Sequence, residues 1–403
     1  MMHYLDYAAT APISQRALEA WTRAQRDLGV VPGNPAALHS GGRTARRMLE
    51  DARERIGSAL GADRHEVILT SGATESDALG VVGAARGIRK KDDARTVVLS
   101  SLVEHDAVAE QQALLEGEGF AWRTLPLGQD GVSIIGQDAL ASTRDTIAVA
   151  SMAWVSSEIG TIQPVSELVR GLHDGDEAHG DSRPLVHSDA AQAVTTVAVN
   201  FEESGLDLLT VGGHKVGAPV GTGVLLARRG VPLSTDRPGG GHERGLRSGT
   251  PDVAGACALA AALEESVQRR DEWTRKAALL RDRLIAGLPA GVATTVPVNC
   301  ACPAIIHLSL PTSRPEAVLM AMDMAGVMVS AGSACHAGVT RPSAIVMRLG
   351  RSEEQALGVL RISTGFDTTE DDIDAFLTAL PQAIRAGQSL DQVEHVQSGR
   401  SKR

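Results

Sequence analysis

Five short stretches of this chain hold residue types able to do covalent or proton-transfer chemistry. Lys215 follows two glycines in Gly212-Gly213-His214-Lys215. Glycine lets another group approach the backbone, and a desolvated lysine loses proton affinity and becomes a Schiff-base nucleophile. Asp189 ends the run LVHSD, just before Ala190-Ala191-Gln192. A buried carboxylate there needs a cationic partner, and a protonated ring nitrogen of a bound molecule is one. Ser71-Gly72-Ala73-Thr74 opens a helical stretch. Its backbone N–H groups, a hydroxyl and the helix dipole together suit an anion such as phosphate. His105, in SSLVEHDAV, offers a flat ring for stacking, and Cys335 sits in SAGSACHAG among residues too small to bury it.

Each stretch also has a plain structural reading. SGAT is equally a capping turn, Asp189 a cap on the next helix, Lys215 a surface lysine, His105 a hydrogen-bonded structural ring. Taken together, an anion cradle, a strand-end Asp and a glycine-flanked Lys, in this order, fit pyridoxal phosphate. That cofactor needs an anion site, a carboxylate facing its pyridine nitrogen and a lysine for its aldehyde.

The elements that must position these residues are legible as periodicity. Ala45, Met48, Leu49, Ala52, Ile56, Ala59 and Leu60 follow a 3.6-residue stripe that Gly61 terminates. Short apolar runs recur as EVILT, TVVLS, TIAVAS, LVHSD, DLLTV and TGVLLA, separated by helix-length segments. That alternation predicts βαβ crossovers and a mainly parallel sheet covered on both faces. Ligands of such sheets collect at the carboxyl ends of the strands, where the reactive residues above lie. PGGGHERGLRSGT (238–250) interrupts the alternation; a long helical segment (about 252–289), AIIHLSL and shorter elements follow. The expectation is a large α/β domain over 14–261 and a smaller α+β domain over 1–13 and 262–388. The polar tail 389–403 is expected to fray, and the acidic stretch 173–184 to be a solvated loop.

Composition bounds the function. The chain has 403 residues, 43% hydrophobic and 22% charged, with a formal net charge of -10. It is long enough to bury a large core without disulfides or metals, and its negative charge argues against direct nucleic-acid binding. No stretch approaches a membrane span and the start lacks a secretory signal. Four cysteines without framework spacing (Cys257, Cys300, Cys302, Cys335) fit a reducing cytoplasm. Two ligands alone make a poor metal site, so Cys300-Ala301-Cys302 reads as structural and no metal is expected.

The motifs resemble one family. YLDYAATAP, GNPAALHSGGR, TSGATESDAL, EHDAV, SEIGTIQPV, HSDAAQAV, GGHKVGAPVGTGVL, GGGHERGLRSGT, SAGSAC and LRISTG are together similar to cysteine desulfurases of the NifS/IscS type. These belong to the class V aminotransferase group of fold-type I pyridoxal-phosphate enzymes, and the likeness covers roughly residues 3 to 385. It implies a large domain with a seven-stranded-type sheet, and sulfur removal from L-cysteine to give L-alanine. By the same resemblance Lys215 holds the cofactor, Asp189 pairs with the pyridine nitrogen, Gln192 reaches the phenolic oxygen and His105 stacks on the ring. Ala73, Thr74 and His214 bind the phosphate, which Thr250 reaches from the other subunit of a homodimer. Asn34 and Arg361 hold the substrate carboxylate. Cys335 accepts the sulfur as a persulfide and passes it to an iron–sulfur scaffold or a tRNA-thiolation enzyme. Small residues with Gly332 and Gly338 suit a loop that must reach inward and then outward. The thiol must ionise to act, and His105 or His336 is a possible base.

Departures from the family pattern are local. Ser156-Ser157-Glu158 stands where Asn-Asn-Glu is usual, so Ser157 replaces an asparagine at the cofactor ring. Gly212 replaces a common phosphate-binding serine, Trp154 an often-seen histidine, and His336 a small hydroxyl residue. Two alternatives stand beside the desulfurase reading. One is a selenocysteine lyase on the same fold. The other is a degenerate scaffold member, against which the retained Lys215, Asp189, His105 and Cys335 speak.

Overall fold

Runs of four or five branched residues are too short for helices and pair instead as strands. In the computed structural model, residues 2–173, 183–331 and 341–401 are described. The central strands are β2 (Val67–Thr70), β3 (Val97–Ser100), β4 (Ala121–Thr124), β5 (Ile147–Ser151), β6 (Leu185–Asp189), β7 (Leu208–Gly212) and β8 (Gly223–Ala227); β1 (His3–Tyr4) precedes them outside this sheet. They form one seven-stranded sheet in the order β2-β8-β7-β6-β5-β3-β4. Only β8 runs against its neighbours. Every strand but the edge strand β4 is buried along its length, which is why these runs are continuously apolar rather than alternating.

The two faces have separate cores. One gathers Leu69, Val186, Leu209 and Val224 against Leu49, Ile56 and Leu263. The other gathers Ile68, Val98, Leu185 and Leu225 against Val81, Ile88 and Leu115. The helix Ser40–Leu60 buries Ala45, Leu49, Ala52, Ile56 and Leu60 of its predicted stripe and half-buries Met48 and Ala59. Gly61 ends it in the left-handed conformation with φ 68°, its N–H bonded to the Gly57 carbonyl. Above the strand ends, Gly72 leads into Ala73–Ala78, a π-helical turn Leu79–Gly83 and the helix Ala84–Lys91.

A second group of elements packs on its own core of Leu5, Trp273, Leu308, Leu360 and Phe376. Here β9 (Ala293–Thr294), β10 (Ile305–Ser309) and β12 (Val359–Ser363) form an antiparallel sheet, and the N-terminal β1 pairs in parallel with β11 (Val327–Met328). One helix, Val253–Ala286, serves both cores. Val253 to Leu263 pack on the large sheet, whereas Trp273, Ala277, Leu280 and Leu284 pack in the second core. The expected boundary at 261/262 therefore falls inside a continuous helix.

The end of the chain differs from expectation in its backbone. Glu370–Ser401 is one helix, so residues 389–401 continue it rather than fray. Its start is anchored through Ile373, Phe376, Leu380 and Ile384. Asp391 accepts hydrogen bonds from the Thr312 and Ser313 hydroxyls at 2.7 Å each, which extends the anchorage past residue 389. Most of the acidic stretch 173–184, and Gly332, Cys335, His336 and Gly338, lie outside the described residues.

Candidate active site

Four chain segments converge at the carboxyl end of the central strands. Lys215 sits in a short 3-10 turn just past β7. Its Nζ donates to the carbonyls of Ala9, at 2.9 Å, and of Ala8. Those carbonyls belong to the YLDYAATAP segment, which is fixed from both ends. Leu5 is buried in the second core, and Ala11 and Ser14 donate their N–H groups to the His214 and Gly217 carbonyls. The N-terminal segment is thus a strap across the lysine. Gln192 joins it, donating through Nε2 to the same Ala8 carbonyl at 2.9 Å.

Asp189 closes β6 and is 7% exposed. Its hydrogen bond among the described residues is from the Ala191 N–H to Oδ1, at 2.8 Å. Burial raises its pKa, and the charges of His105 and Lys215 oppose that rise. Lys215 is pushed down to about 8, first by burial and then by the Arg361 guanidinium, with Asp189 and Asp6 resisting. A lysine so placed has a sizeable neutral fraction near neutrality, the form that attacks a carbonyl carbon. His105 caps the short helix Asp106–Ala109, its Nδ1 accepting from the Ala107 N–H at 3.0 Å. That bond fixes the ring, and a neutral ring then carries its proton on Nε2.

Arg361 lies on β12, brought to the site by the second sheet. It donates to Asp6 Oδ1 at 2.9 Å and to the Ser157 carbonyl at 2.8 Å, while its buried Nε has no partner. A half-satisfied guanidinium beside a desolvated lysine is suited to a carboxylate. Nearby, Glu158 accepts from the Ser343 hydroxyl and is pushed up to about 7, mainly by burial.

The phosphate turn is also formed. Ala73 and Thr74 begin the helix after Gly72, and Gly212 faces them: a Cβ there would stand 3.2 Å from the Ala73 Cβ and 3.7 Å from its N. The missing side chain keeps that space clear. His214 contacts the Thr10 hydroxyl at 3.2 Å and its pKa is lowered, chiefly by burial. The donor set fits pyridoxal phosphate: a desolvated amine, a buried acid with few partners, a fixed imidazole and a cleared helix start.

Not every expected residue joins this cluster. Asn34 is exposed and spends Oδ1 on the Ala36 N–H in its own turn. Thr250 is also exposed, ahead of the helix Val253–Ala286. Ser157 meets the site through its backbone carbonyl. Conversely, the sequence reading overlooked Asp6, the Ala8 and Ala9 carbonyls, and a polar layer of Asp77, Glu104 and His187. Asp6 lies within a motif already picked out, but no spacing rule joins it to Arg361 across 355 positions.

Comparison with known proteins agrees with this geometry. The Aminotransferase class-V family model matches residues 3–376. The IscS-like cysteine desulfurase of Mycobacterium tuberculosis is 40% identical over 392 residues, covering 95% of this chain and 96% of that protein. The cysteine desulfurase IscS of Clostridium botulinum is 32% identical, covering 95% and 94%. A solved NifS-like protein superposes with a TM-score of 0.84 at 28% identity, covering 96% of this chain and all of that one. DndA from Streptomyces lividans superposes with a TM-score of 0.72 at 32% identity, covering 89% and 99%. The chain belongs to the class V aminotransferase family and, within it, to the pyridoxal-phosphate-dependent cysteine desulfurases of the IscS/NifS type.

Proposed function

We propose that this enzyme takes sulfur from L-cysteine at the Lys215 site, stores it as a persulfide on Cys335 and hands it to an acceptor protein. The observation that carries the proposal is the convergence of Lys215, Asp189, His105 and Arg361 on one strand-end site. Lys215 would hold pyridoxal phosphate, with Asp189 at the pyridine nitrogen, His105 over the ring and Gln192 at the phenolic oxygen. Ala73, Thr74 and His214 would bind the phosphate, and Ser157 would lie near the ring substituent. When bound, the cofactor supplies an electron sink for negative charge at the substrate Cα.

The chain's own residues do the rest. Arg361 holds the substrate carboxylate through its guanidinium. Lys215, with a pKa near 8, accepts the Cα proton and returns one to carbon. The Cys335 thiolate attacks the substrate sulfur; the carbon–sulfur bond breaks and its electron pair stays on carbon, which is protonated to give alanine. Two of the other cysteines are poor substitutes. Cys302 is fully buried and pushed up to about 11, and burial also raises Cys257.

Two expected residues, Asn34 and Thr250, stand exposed, which supports a homodimer in which a partner completes the substrate and phosphate contacts. Residues 14–261 would form the cofactor domain and 1–13 with 262–388 the domain bearing the nucleophile. The acceptor would be an iron–sulfur scaffold or a tRNA-thiolation enzyme in the cytoplasm.

Two measurements on purified protein test the activity. Pyridoxal phosphate should restore a visible absorbance band, and L-cysteine should yield stoichiometric alanine and transferable sulfur. Protein that takes up no cofactor, or that forms no alanine from cysteine, would refute the reading.

A further inference from the structure

Beneath Asp189, on the same face of the sheet, lies a polar layer that the reaction as described does not use. His187 and Asp189 are two residues apart on β6, so their side chains share a face. His187 is fully buried; its Nδ1 pairs with the Ser151 hydroxyl on β5 and its Nε2 with the Thr210 hydroxyl on β7, both at 3.0 Å. Next to these hydroxyls stand two buried acids. Asp77, on the helix Ala73–Ala78, is 3.6 Å from His187 Nε2, and Glu104 immediately precedes His105. Among the described residues, neither oxygen of Asp77 nor of Glu104 has a partner in hydrogen-bond geometry. Ser101, Ser151 and the Ala153 amide lie close enough to ease Glu104 only in part, and Thr210 does the same for Asp77.

Three carboxyl groups therefore share one buried layer. The charged and titratable groups of this layer are Asp189 from β6, which acts on both Glu104 and Asp77, Asp77 from the covering helix with His187 against it, and His105 and Lys215, which act on Asp189. Lys215, at about 8, is the main cation among these, and its carbonyl partners already hold it in the strap. His187 is pushed down to about 3 by burial, so it brings no positive charge. Three ionised acids here would leave two negative charges unanswered, at a cost that no contact in the layer offsets.

We propose that Glu104 and Asp77 are positioning residues that hold protons rather than charge, leaving Asp189 the single anion of the layer on which the cofactor's pyridine nitrogen rests. The proposal rests on the reading of Asp189 as cofactor anchor. As neutral acids the two keep the negative potential concentrated at one carboxylate, in reach of one ring nitrogen. The directions of the pKa shifts agree. Burial raises Asp77 well above the ordinary range and lifts Glu104 to about 8, and the Asp189 charge adds to both.

The test uses the full chain, stripped of pyridoxal phosphate and reloaded. Between the ordinary carboxylate range and about pH 8, the unfolded chain releases the Glu104 proton while the folded chain keeps it. Stability then falls as pH rises through that window. The melting temperature of the stripped wild type should fall more steeply from about pH 5 to about pH 8 than that of Glu104→Gln, which has no proton to lose. Infrared difference spectra at about pH 6 should show a protonated-carboxyl C=O band in the wild type that Glu104→Gln lacks. Parallel melting slopes with no missing band would mean that Glu104 is ionised, and would overturn the proposal. Should Glu104→Gln not fold, Asp77→Asn decides by the same two readouts. Asp189→Asn separates the underlying reading: it should weaken pyridoxal phosphate binding about tenfold or more. Unchanged binding would remove the purpose assigned to the layer, whatever its proton count.

Discussion

Two buried glutamates meet opposite fates in this fold. Glu243, 8% exposed, receives both nitrogens of Arg53 at 2.8 Å and the Leu69 N–H at 2.8 Å. Glu104, 7% exposed, receives nothing in hydrogen-bond geometry. Glu243 lies in the glycine-rich loop, where it and Arg244 adopt left-handed backbone with φ 47° and 58°. Two adjacent non-glycine residues in that region cost on the order of 1–3 kcal/mol each, and persist only where the surroundings enforce them. The Arg53 clamp is that enforcement, and it fixes the loop that carries Thr250. Glu104 lies beside Asp189, the acid proposed to meet the cofactor's ring nitrogen. The carboxyl group that shapes the loop is fully paired; the one proposed to tune the site is not.

Mutations can break this contrast, beginning where the largest effect is expected. Lys215→Ala should lower desulfurase turnover about a thousandfold or more, with covalent cofactor retention lost on gel filtration. Turnover within tenfold of wild type would move the chemistry elsewhere. Glu243→Gln removes the buried carboxylate partner of Arg53, leaving only the 3.4 Å contact to the more exposed Glu50 as an ion pair, at a cost of about 3–5 kcal/mol in urea unfolding. A cost below about 1 kcal/mol would mean that the left-handed loop needs no clamp.

The reach of the sequence is uneven, and the contrast explains why. The strand runs and the Ser40–Leu60 stripe were readable because burial on two faces, or on one, imposes a local period. Lys215, Asp189, His105 and the Ala73-Thr74 turn were readable because strand ends and glycines mark a ligand site locally. The strap that holds Lys215 was not, since it joins Ala8 to a residue 207 positions away. Nor was the layer of Asp77, His187 and Glu104, which exists only once β5, β6 and β7 lie side by side. LVHSD displays His187 openly, yet nothing in that run says what its ring meets.

Smaller effects sharpen the comparison. Glu158 is another acid raised by burial, to about 7, but the Ser343 hydroxyl partners it. Its folded-state value lies above the ordinary range, so stability falls with rising pH until about pH 7. Glu158→Gln should flatten that slope by at most about 1.4 kcal/mol per pH unit. A slope equal to wild type in thermal melts would mean an ionised Glu158 across the range. Gly212→Ser should have the least effect. Its Cβ would lie 3.2 Å from Ala73, close enough to require a small shift, and its hydroxyl would add a phosphate donor. Cofactor affinity should rise a fewfold, up to about tenfold; weaker binding would show that Ala73 cannot yield.

The central claim is that sulfur leaves cysteine at Lys215 and arrives at Cys335. Incubation with L-cysteine, followed by alkylation and peptide mass spectrometry without reductant, reads this directly. One added sulfur is expected on the peptide containing Cys335, lost on treatment with reductant and absent in Lys215→Ala. Sulfur on Cys257, Cys300 or Cys302 with none on Cys335 would contradict it.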